Sequence, residues 1–397
     1  MIERSEYLNQ LVGFKDKNII KIVTGIRRCG KSTLLEMYQQ NLLDQGILPE
    51  QIISINFEDY ANKELLFPDN LHSYVLDRMP KKGMTYVFLD EIQNVFEFQK
   101  VVDSLFLKKN VDLYLTGSNA HMLSGDLATL LSGRYVEIEM LPLSFKEYVN
   151  GSGDINELGR KYAAYLETSS FPGAMEFSGN QKQINEYLSG IYNTVLVKDV
   201  VERYHITDTL MLESIIRFVF NNVGNQLSTK SISNAMNSSG RKVDVKTVEK
   251  YLQALMDSYI LYQAKRYNVK GKQYLKTLEK YYAVDIGMRY MLLGRANTDT
   301  GHILENVVYL ELLRRGFQVY VGKLDELEVD FVCMNQDGIT YFQVAATVRE
   351  AKTLERELKP LKKLADTYPK YILTLDEDPD ADYDGIRRIN VLDWLLK

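Results

Sequence analysis

The chain has 397 residues, with 48 Lys and Arg against 53 Asp and Glu, a net charge of −5 and a hydrophobic fraction of 45%. This balance excludes a disordered or fibrous chain and gives no blanket attraction to nucleic acid. Two cysteines far apart in sequence, Cys29 and Cys333, and four scattered histidines leave no disulfide framework and no zinc-binding spacing.

The first residues, MIERSEYLNQL, lack the basic-then-apolar build of a signal peptide, and no apolar run is long enough to span a bilayer. A reducing cytoplasm is the expected location. From residue 18 to about 143, short apolar runs alternate with helical stretches, the pattern of a parallel sheet with crossover helices. Strands are predicted at 19–25, 52–57, 85–90, 111–117 and 135–141, with helices at 31–45, 70–79 and 97–109. Five such strands make a doubly wound α/β domain that binds ligands at the C-terminal strand ends.

After Pro142 helical periodicity takes over, from Ile155 to about Met236. Segment 226–283 reads as helix, turn, helix and two short Tyr-rich strands. Val248, Leu252, Leu255, Met256 and Tyr259 share one face of the second helix, with Asp244 as its N-cap. From Gly301 a helix (303–315) leads into the strands FQVYVG, EVDFVC and TYFQVA, then a charged helix (350–366) and the strand KYILTL. Three domains are expected, at 1–150, 151–290 and 291–397.

Gly25, Ile26, Arg27, Arg28, Cys29, Gly30, Lys31 and Ser32, followed by Thr33, match the Walker A pattern between a strand and a helix. The glycines let the backbone bend around a phosphate, the amides and the helix dipole point at it, and Lys31 adds charge. The Ser32 hydroxyl suits Mg²⁺, and Thr33 is placed for the α-phosphate of ATP. Next comes the apolar strand 86–89, ending in Asp90 and Glu91. Asp90 suits a contact to Mg²⁺ and Glu91 suits polarising a water for attack on the γ-phosphate. Ser118 and Asn119, where the following strand ends, are candidates to bond the γ-phosphate or that water. The alternative is a helix N-cap for the stretch beginning near His121. Arg134 is a candidate transition-state arginine, in cis or from a neighbouring subunit, with a surface ion pair as its alternative. Arg27 and Arg28 compete for that role. Cys29, inside an electropositive loop, is expected either to have a lowered pKa and be reactive, or to be a small residue chosen for space.

These residues resemble the AAA superfamily, in the subgroup with an additional central strand and a catalytic glutamate. More closely, the chain is similar to prokaryotic AAA-type ATPases that carry a C-terminal domain of unknown function. The motifs are GIRRCGKST, SINFEDY, VFLDEIQNV, LTGSNA, SGRYVEIEMLPLSFKEY, Phe171-Pro172-Gly173 and KDVVERY. The resemblance implies an α/β P-loop NTPase module, a helical and winged-helix-like middle, and a small restriction-endonuclease-like α/β end. It supplies no substrate.

The middle segment has a local excess of positive charge, with ten Lys or Arg against four Asp or Glu over 241–280. Lys246, Lys250, Lys265, Arg266, Lys270 and Lys272 would be phosphate contacts if DNA binds there, while the same fold also serves as a protein-binding scaffold. At the end, Glu305, Asp330 and Gln343 resemble the nuclease pattern, but the lysine expected two positions on is Ala345. Lys352 on the next predicted helix is a residue that could swing in as a replacement. A fold without nuclease activity is expected. Two functions therefore compete: an Mg²⁺-dependent ATPase acting on a DNA or protein partner, with oligomers allowed, and a nucleotide-gated binding switch with negligible turnover. Glu91 favours the enzyme.

Overall fold

The computed structural model describes residues 2–120, 131, 133–153, 157–295 and 300–397. Two compact units emerge: one holds the chain up to Pro142 with Asp257–Tyr259, the other holds Leu143–Met256 and Ile260–Lys397.

In the first unit the elements are α1 (Ser5–Gly13), β1 (Ile20–Thr24), α2 (Lys31–Asp44), β2 (Ile52–Asn56), α3 (Pro68–Arg78), β3 (Thr85–Asp90), α4 (Phe98–Phe106), β4 (Val111–Gly117) and β5 (Tyr135–Glu139). The strands form one parallel sheet in the order β2-β3-β4-β1-β5. Every residue of β1 and β3 is buried, as continuous apolar runs covered on both faces should be. At the edge, β2 instead alternates, with Ile53 and Ile55 inward and Ser54 and Asn56 exposed. Ile22, Val87, Leu89, Leu113 and Leu115 of the sheet pack with Leu71 and Val75 of α3 and Val101, Val102 and Leu105 of α4. Because β4 lies between β1 and β3, register places Val23 beside Thr116 and Leu89 beside Leu115. The C-terminal ends of these three strands therefore meet at one edge.

The second unit opens with helices α5 (Phe145–Gly151), α6 (Leu158–Thr168), α7 (Gln181–Thr194) and α8 (Thr209–Asn221), with a π-helical stretch at Val195–Glu202. Then follow β6 (Gln226–Leu227), α9 (Thr229–Ser238), α10 (Val245–Asp257), β7 (Leu261–Asn268), β8 (Gln273–Ala283), α11 (Ile286–Leu293) and α12 (Thr300–Arg314). The chain ends with β9 (Gln318–Leu324), β10 (Leu327–Asn335), β11 (Gly338–Ala345), α13 (Ala351–Lys362), β12 (Lys370–Thr374), β13 (Ala381–Tyr383), β14 (Ile386–Asn390) and α14 (Val391–Leu396). Asp244 caps α10 by accepting from the Thr247 amide at 2.8 Å.

The Tyr-rich strands are longer than their sequence signal implied, and they do not end locally. β7 pairs with β9 in parallel, Arg266–Asn268 against Val321–Lys323, so β6 to β14 make one nine-stranded sheet. That sheet runs unbroken across residue 290. Helix α12 is buried from Ile303 through Leu312, apolar on most faces as a central helix must be. Its buried polar groups are partnered: Asn306 exchanges bonds with the Ala283 backbone at 2.8 Å, and Glu311 accepts from Arg314 at 2.6 Å and Arg315 at 2.8 Å. The acidic stretch from Asp376 is fixed in place as well. Asp376 accepts from the Val348 amide at 2.8 Å, and Asp378 pairs with Arg349 at 2.8 Å.

Candidate active site

Loop 25–32 follows β1, and each glycine has its own steric reason. Gly25 has φ 139°, and a Cβ there would stand 2.2 Å from the Met140 carbonyl oxygen, so β5's exit leaves no room for a side chain. Gly30, at φ 105°, is the left-handed N-cap from which α2 starts. Lys31 is the first residue of that helix, and its buried ammonium donates to the carbonyls of Gly25 at 3.0 Å and Ile26 at 3.2 Å. The loop is tied down from the N-terminus by Arg4, which donates to the Cys29 carbonyl at 2.9 Å and the Leu141 carbonyl at 2.7 Å. Ile26 is fully buried, Arg28 is exposed, and Arg27 donates to Glu58 at 2.6 Å.

Asp90 and Glu91 leave the end of β3 in different directions. Asp90 accepts from Thr116 Oγ1 and from Asn56 Nδ2 at 2.8 Å. Burial raises its pKa, against the lowering effect of hydrogen bonds from Thr116 and Ser32. Glu91 sits at φ 55°, a left-handed conformation that a glutamate adopts only when its surroundings hold it there. Its amide donates to Thr116 Oγ1 at 2.8 Å, so this one hydroxyl steers both acids. The Glu91 carboxylate lies 3.5 Å from the Lys31 ammonium and accepts from Gln93 Nε2. Burial works to raise its pKa, yet the charges of Lys31 and Arg27 and bonds from Gln93 and Ser118 together hold it below the usual range. Ser118 and Asn119 are fully buried at the end of β4, with Ser118 3.5 Å from Gln93 Nε2. The helix expected from near His121 lies outside the described residues.

Two expectations need correction. Cys29 is not an activated thiol: it is fully buried, and burial raises its pKa more than Lys31 and Arg4 lower it. Arg134 does not stand beside the loop of its own chain. Its carbonyl accepts from the Ile20 amide at the start of β1, whereas the loop follows the end of β1. In a parallel sheet these are opposite edges, and Arg134 instead pairs with Asp103. Its in-cis role is thereby removed. Conversely, Arg4, Asn56, Gln93 and Thr116 carry interactions that the sequence reading did not assign to them.

The donors suit a magnesium polyphosphate. Ser32 and Asp90 offer oxygens to a hard cation that takes one or two protein ligands plus phosphates, and the α2 terminus with Lys31 suits the anion. Gln93 Oε1 is a buried acceptor with no protein partner at the same edge.

In the second unit, Glu305, Asp330 and Gln343 do come together, with a cation that the sequence reading missed. Lys280 of β8 donates to Glu305 at 2.9 Å and pairs with Glu328 at 2.8 Å, and it lies 4.0 Å from Asp330. Tyr282 also donates to Glu305, at 2.6 Å. Gln343 accepts from the Asp330 amide at 2.7 Å and donates to Glu357 at 2.8 Å. Lys352 is exposed on α13, and the ammonium among the acids is that of Lys280. Among the described residues, no group of three or more His, Cys, Asp or Glu is arranged to hold a metal ion.

A family model described as an AAA domain matches residues 17–149, and a domain of unknown function, DUF8612, matches residues 159–299. An uncharacterized protein of Haemophilus influenzae is 39% identical over 100% of this chain and 99% of its own length. An uncharacterized protein of Methanocaldococcus jannaschii is 29% identical over 87% of this chain and 78% of its own. Among solved structures, a Walker-type ATPase of Pyrococcus abyssi is similar in fold, with a TM-score of 0.50 at 16% identity, covering 74% of this chain and 96% of that one. No helix among the described residues is long and apolar enough to cross a membrane.

Proposed function

The chain belongs to the P-loop AAA-type ATPases, and from that premise we propose that it binds ATP with Mg²⁺ at loop 25–32, hydrolyses it, and couples the nucleotide state to a DNA or protein partner. The observation that carries hydrolysis is Glu91: a carboxylate held ionised by Lys31 and Arg27, on backbone strained into place beside the loop. A charged base is what in-line attack by water requires.

In this reading the amides of Gly30 to Thr33 and the Lys31 ammonium grip the β- and γ-phosphates. Ser32 and Asp90 would hold Mg²⁺, which supplies charge neutralisation at the phosphate oxygens. Glu91 takes the proton of the attacking water, while Ser118 and Asn119 orient that water or the γ-phosphate. Gln93 holds the Glu91 carboxylate in position. Arg134, at the far sheet edge, acts only on a neighbouring subunit's nucleotide, so its role requires an oligomer.

For the partner we favour DNA at the winged-helix-like region, where Lys246, Lys250, Lys265, Lys270 and Lys272 are exposed. Division of labour runs between the nucleotide-binding unit and the second unit, whose Glu305 cluster lacks nuclease activity because Lys280 already bonds Glu305 and Glu328 and Gln343 is a neutral amide. The second reading is a nucleotide-gated switch with negligible turnover. It draws on Glu91 being bonded by both Lys31 and Gln93 rather than facing water.

Phosphate release by the purified chain tests the proposal. Lys31→Ala loses ATP binding and turnover, and Glu91→Gln retains binding but loses turnover by about 100-fold or more. Equal turnover in all three proteins refutes the enzyme reading. Tight ATP binding with no turnover in the wild type supports the switch.

A further inference from the structure

Three tyrosines from three adjacent strands of the second unit gather at one sheet face. Tyr267 of β7 is paired in register with Tyr274 of β8, and Tyr320 of β9 closes the group. Ring centroids lie 5.5 Å apart for Tyr267 and Tyr274, 5.2 Å for Tyr274 and Tyr320, and 6.0 Å for Tyr267 and Tyr320. Tyr267 is rooted in the core with Val329, Val332 and Tyr341. Tyr274 is 60% exposed, and Tyr320 is half-buried. The result is an aromatic step fixed from below and open above.

The surrounding charge narrows what covers it. From Gln263 to Tyr274 the chain carries Lys265, Arg266, Lys270 and Lys272 and no acid. Lys265, Lys270 and Lys272 are exposed, the last two on the hairpin tip next to Tyr274. At this tip Asp325 pairs with Lys270, and Glu279 of β8 lies within electrostatic reach of Lys265, which leaves Lys272 as the lysine beside Tyr274 with no ion pair among the described residues. An apolar protein partner needs no lysines around the rings, and duplex DNA offers no base face to stack on. Unpaired bases with a phosphate backbone use both features at once.

We propose that the Tyr267–Tyr274–Tyr320 face with Lys265 and Lys272 is a stacking platform for single-stranded nucleic acid. Bases lie on Tyr274 and Tyr320, and the lysines follow the phosphates. The site is separate from the nucleotide loop and does not depend on ATP hydrolysis, although it specifies the nucleic-acid partner of the function proposed above.

The full chain is titrated against labelled twelve-nucleotide oligo-dT and oligo-rU, and against a duplex of the same length, by fluorescence anisotropy at several salt concentrations. Tighter binding of the single strands than of the duplex is expected; the two oligonucleotides then separate DNA from RNA as the source. Tyr274→Ala weakens binding about tenfold without changing the salt slope, since stacking is not electrostatic. Tyr274→Phe, which keeps the ring, restores the affinity. Lys272→Gln lowers the slope by about 0.7, one phosphate contact on a single strand. Tyr274 is exposed, so these variants fold, and the melting temperature checks it. No binding of either single strand at low salt overturns the proposal, as does equal affinity of wild type and a Tyr274→Ala, Tyr320→Ala double variant. Phosphate release measured on the same samples separates the two ideas: turnover without single-strand binding sinks the platform and leaves the ATPase standing.

Discussion

Replacing Lys280 by methionine removes the ammonium from between Glu305, Glu328 and Asp330 while keeping most of its volume. The cost can be worked from the contacts. Lys280 and Glu305 side chains are only 5% and 6% exposed and bond at 2.9 Å, so breaking this pair strands a buried charge, an event that costs about 3–5 kcal/mol. Two facts set the figure near the lower end. Tyr282 still donates to Glu305 at 2.6 Å, and Glu328 is 29% exposed, so its loss is closer to that of a surface pair, about 0–1 kcal/mol. A destabilisation of about 3 kcal/mol, or roughly 10 °C in the melting of this unit, is expected. Urea unfolding followed by circular dichroism measures it without the screening that guanidinium brings. The companion Lys280→Met, Glu305→Gln variant, which leaves only the partly exposed Glu328 without its cation, recovers about 2 kcal/mol of the loss. The sign with pH is also set. The carboxylates around Lys280 hold its pKa above the ordinary value despite burial. Its contribution is therefore complete below the unfolded lysine value, about 10.4, and fades only as pH rises through the higher folded value. The gap between wild type and Lys280→Met should stay constant from pH 7 to 9. A gap under 1 kcal/mol, or a double variant no better than the single, refutes the reasoning.

Further outcomes follow from the same contacts. Asp330 has its pKa raised well above the carboxylate range, first by burial and then by Glu305, so ionisation works against the fold and stability falls as pH rises from the unfolded toward the folded value. Asp330→Asn, whose amide oxygen still accepts from Val344, should flatten that slope and be at least as stable as wild type at pH 7; a clear loss there argues against it. Arg4→Ala leaves the Cys29 and Leu141 carbonyls without their donor, costing about 1–3 kcal/mol in urea unfolding, and should weaken ATP binding measured by calorimetry. Cys29 should react with iodoacetamide far more slowly in the folded protein than in urea, whether or not ATP is present; rapid native alkylation contradicts its burial. Arg134→Ala should leave the turnover of dilute, unassociated protein unchanged. A loss under those conditions places the guanidinium nearer its own loop than the sheet allows.

The central sheet was legible because strands covered on both faces are written as unbroken apolar runs, and the loop because its parts are contiguous. Partners contributed across long separations were not. Arg4 reaches Cys29 and Leu141, Thr116 reaches Asp90 and Glu91, and Lys280 reaches Glu305, none of which any local pattern announces. Cys29 failed as an expectation because sequence shows neighbouring charge but not burial. For Arg134 the structure shows the surface ion pair that the sequence left open as the alternative: it precedes a strand while the loop follows one, and parallel strands put those at opposite edges. The last strands, β13 and β14, hid in DADYD and IRRIN, where acids and arginines mask the alternation until Asp378 and Arg388 are seen to hold them.

Gly25 is excluded from bearing a side chain by Met140, a neighbour in its own fold, and not by a ligand. A descendant of this chain that had given up its nucleotide would still be obliged to keep glycine there, and at Gly30 with its left-handed backbone, while Lys31 would drift. Among relatives, survival of the two glycines thus reports an intact fold, and only the lysine reports a working loop.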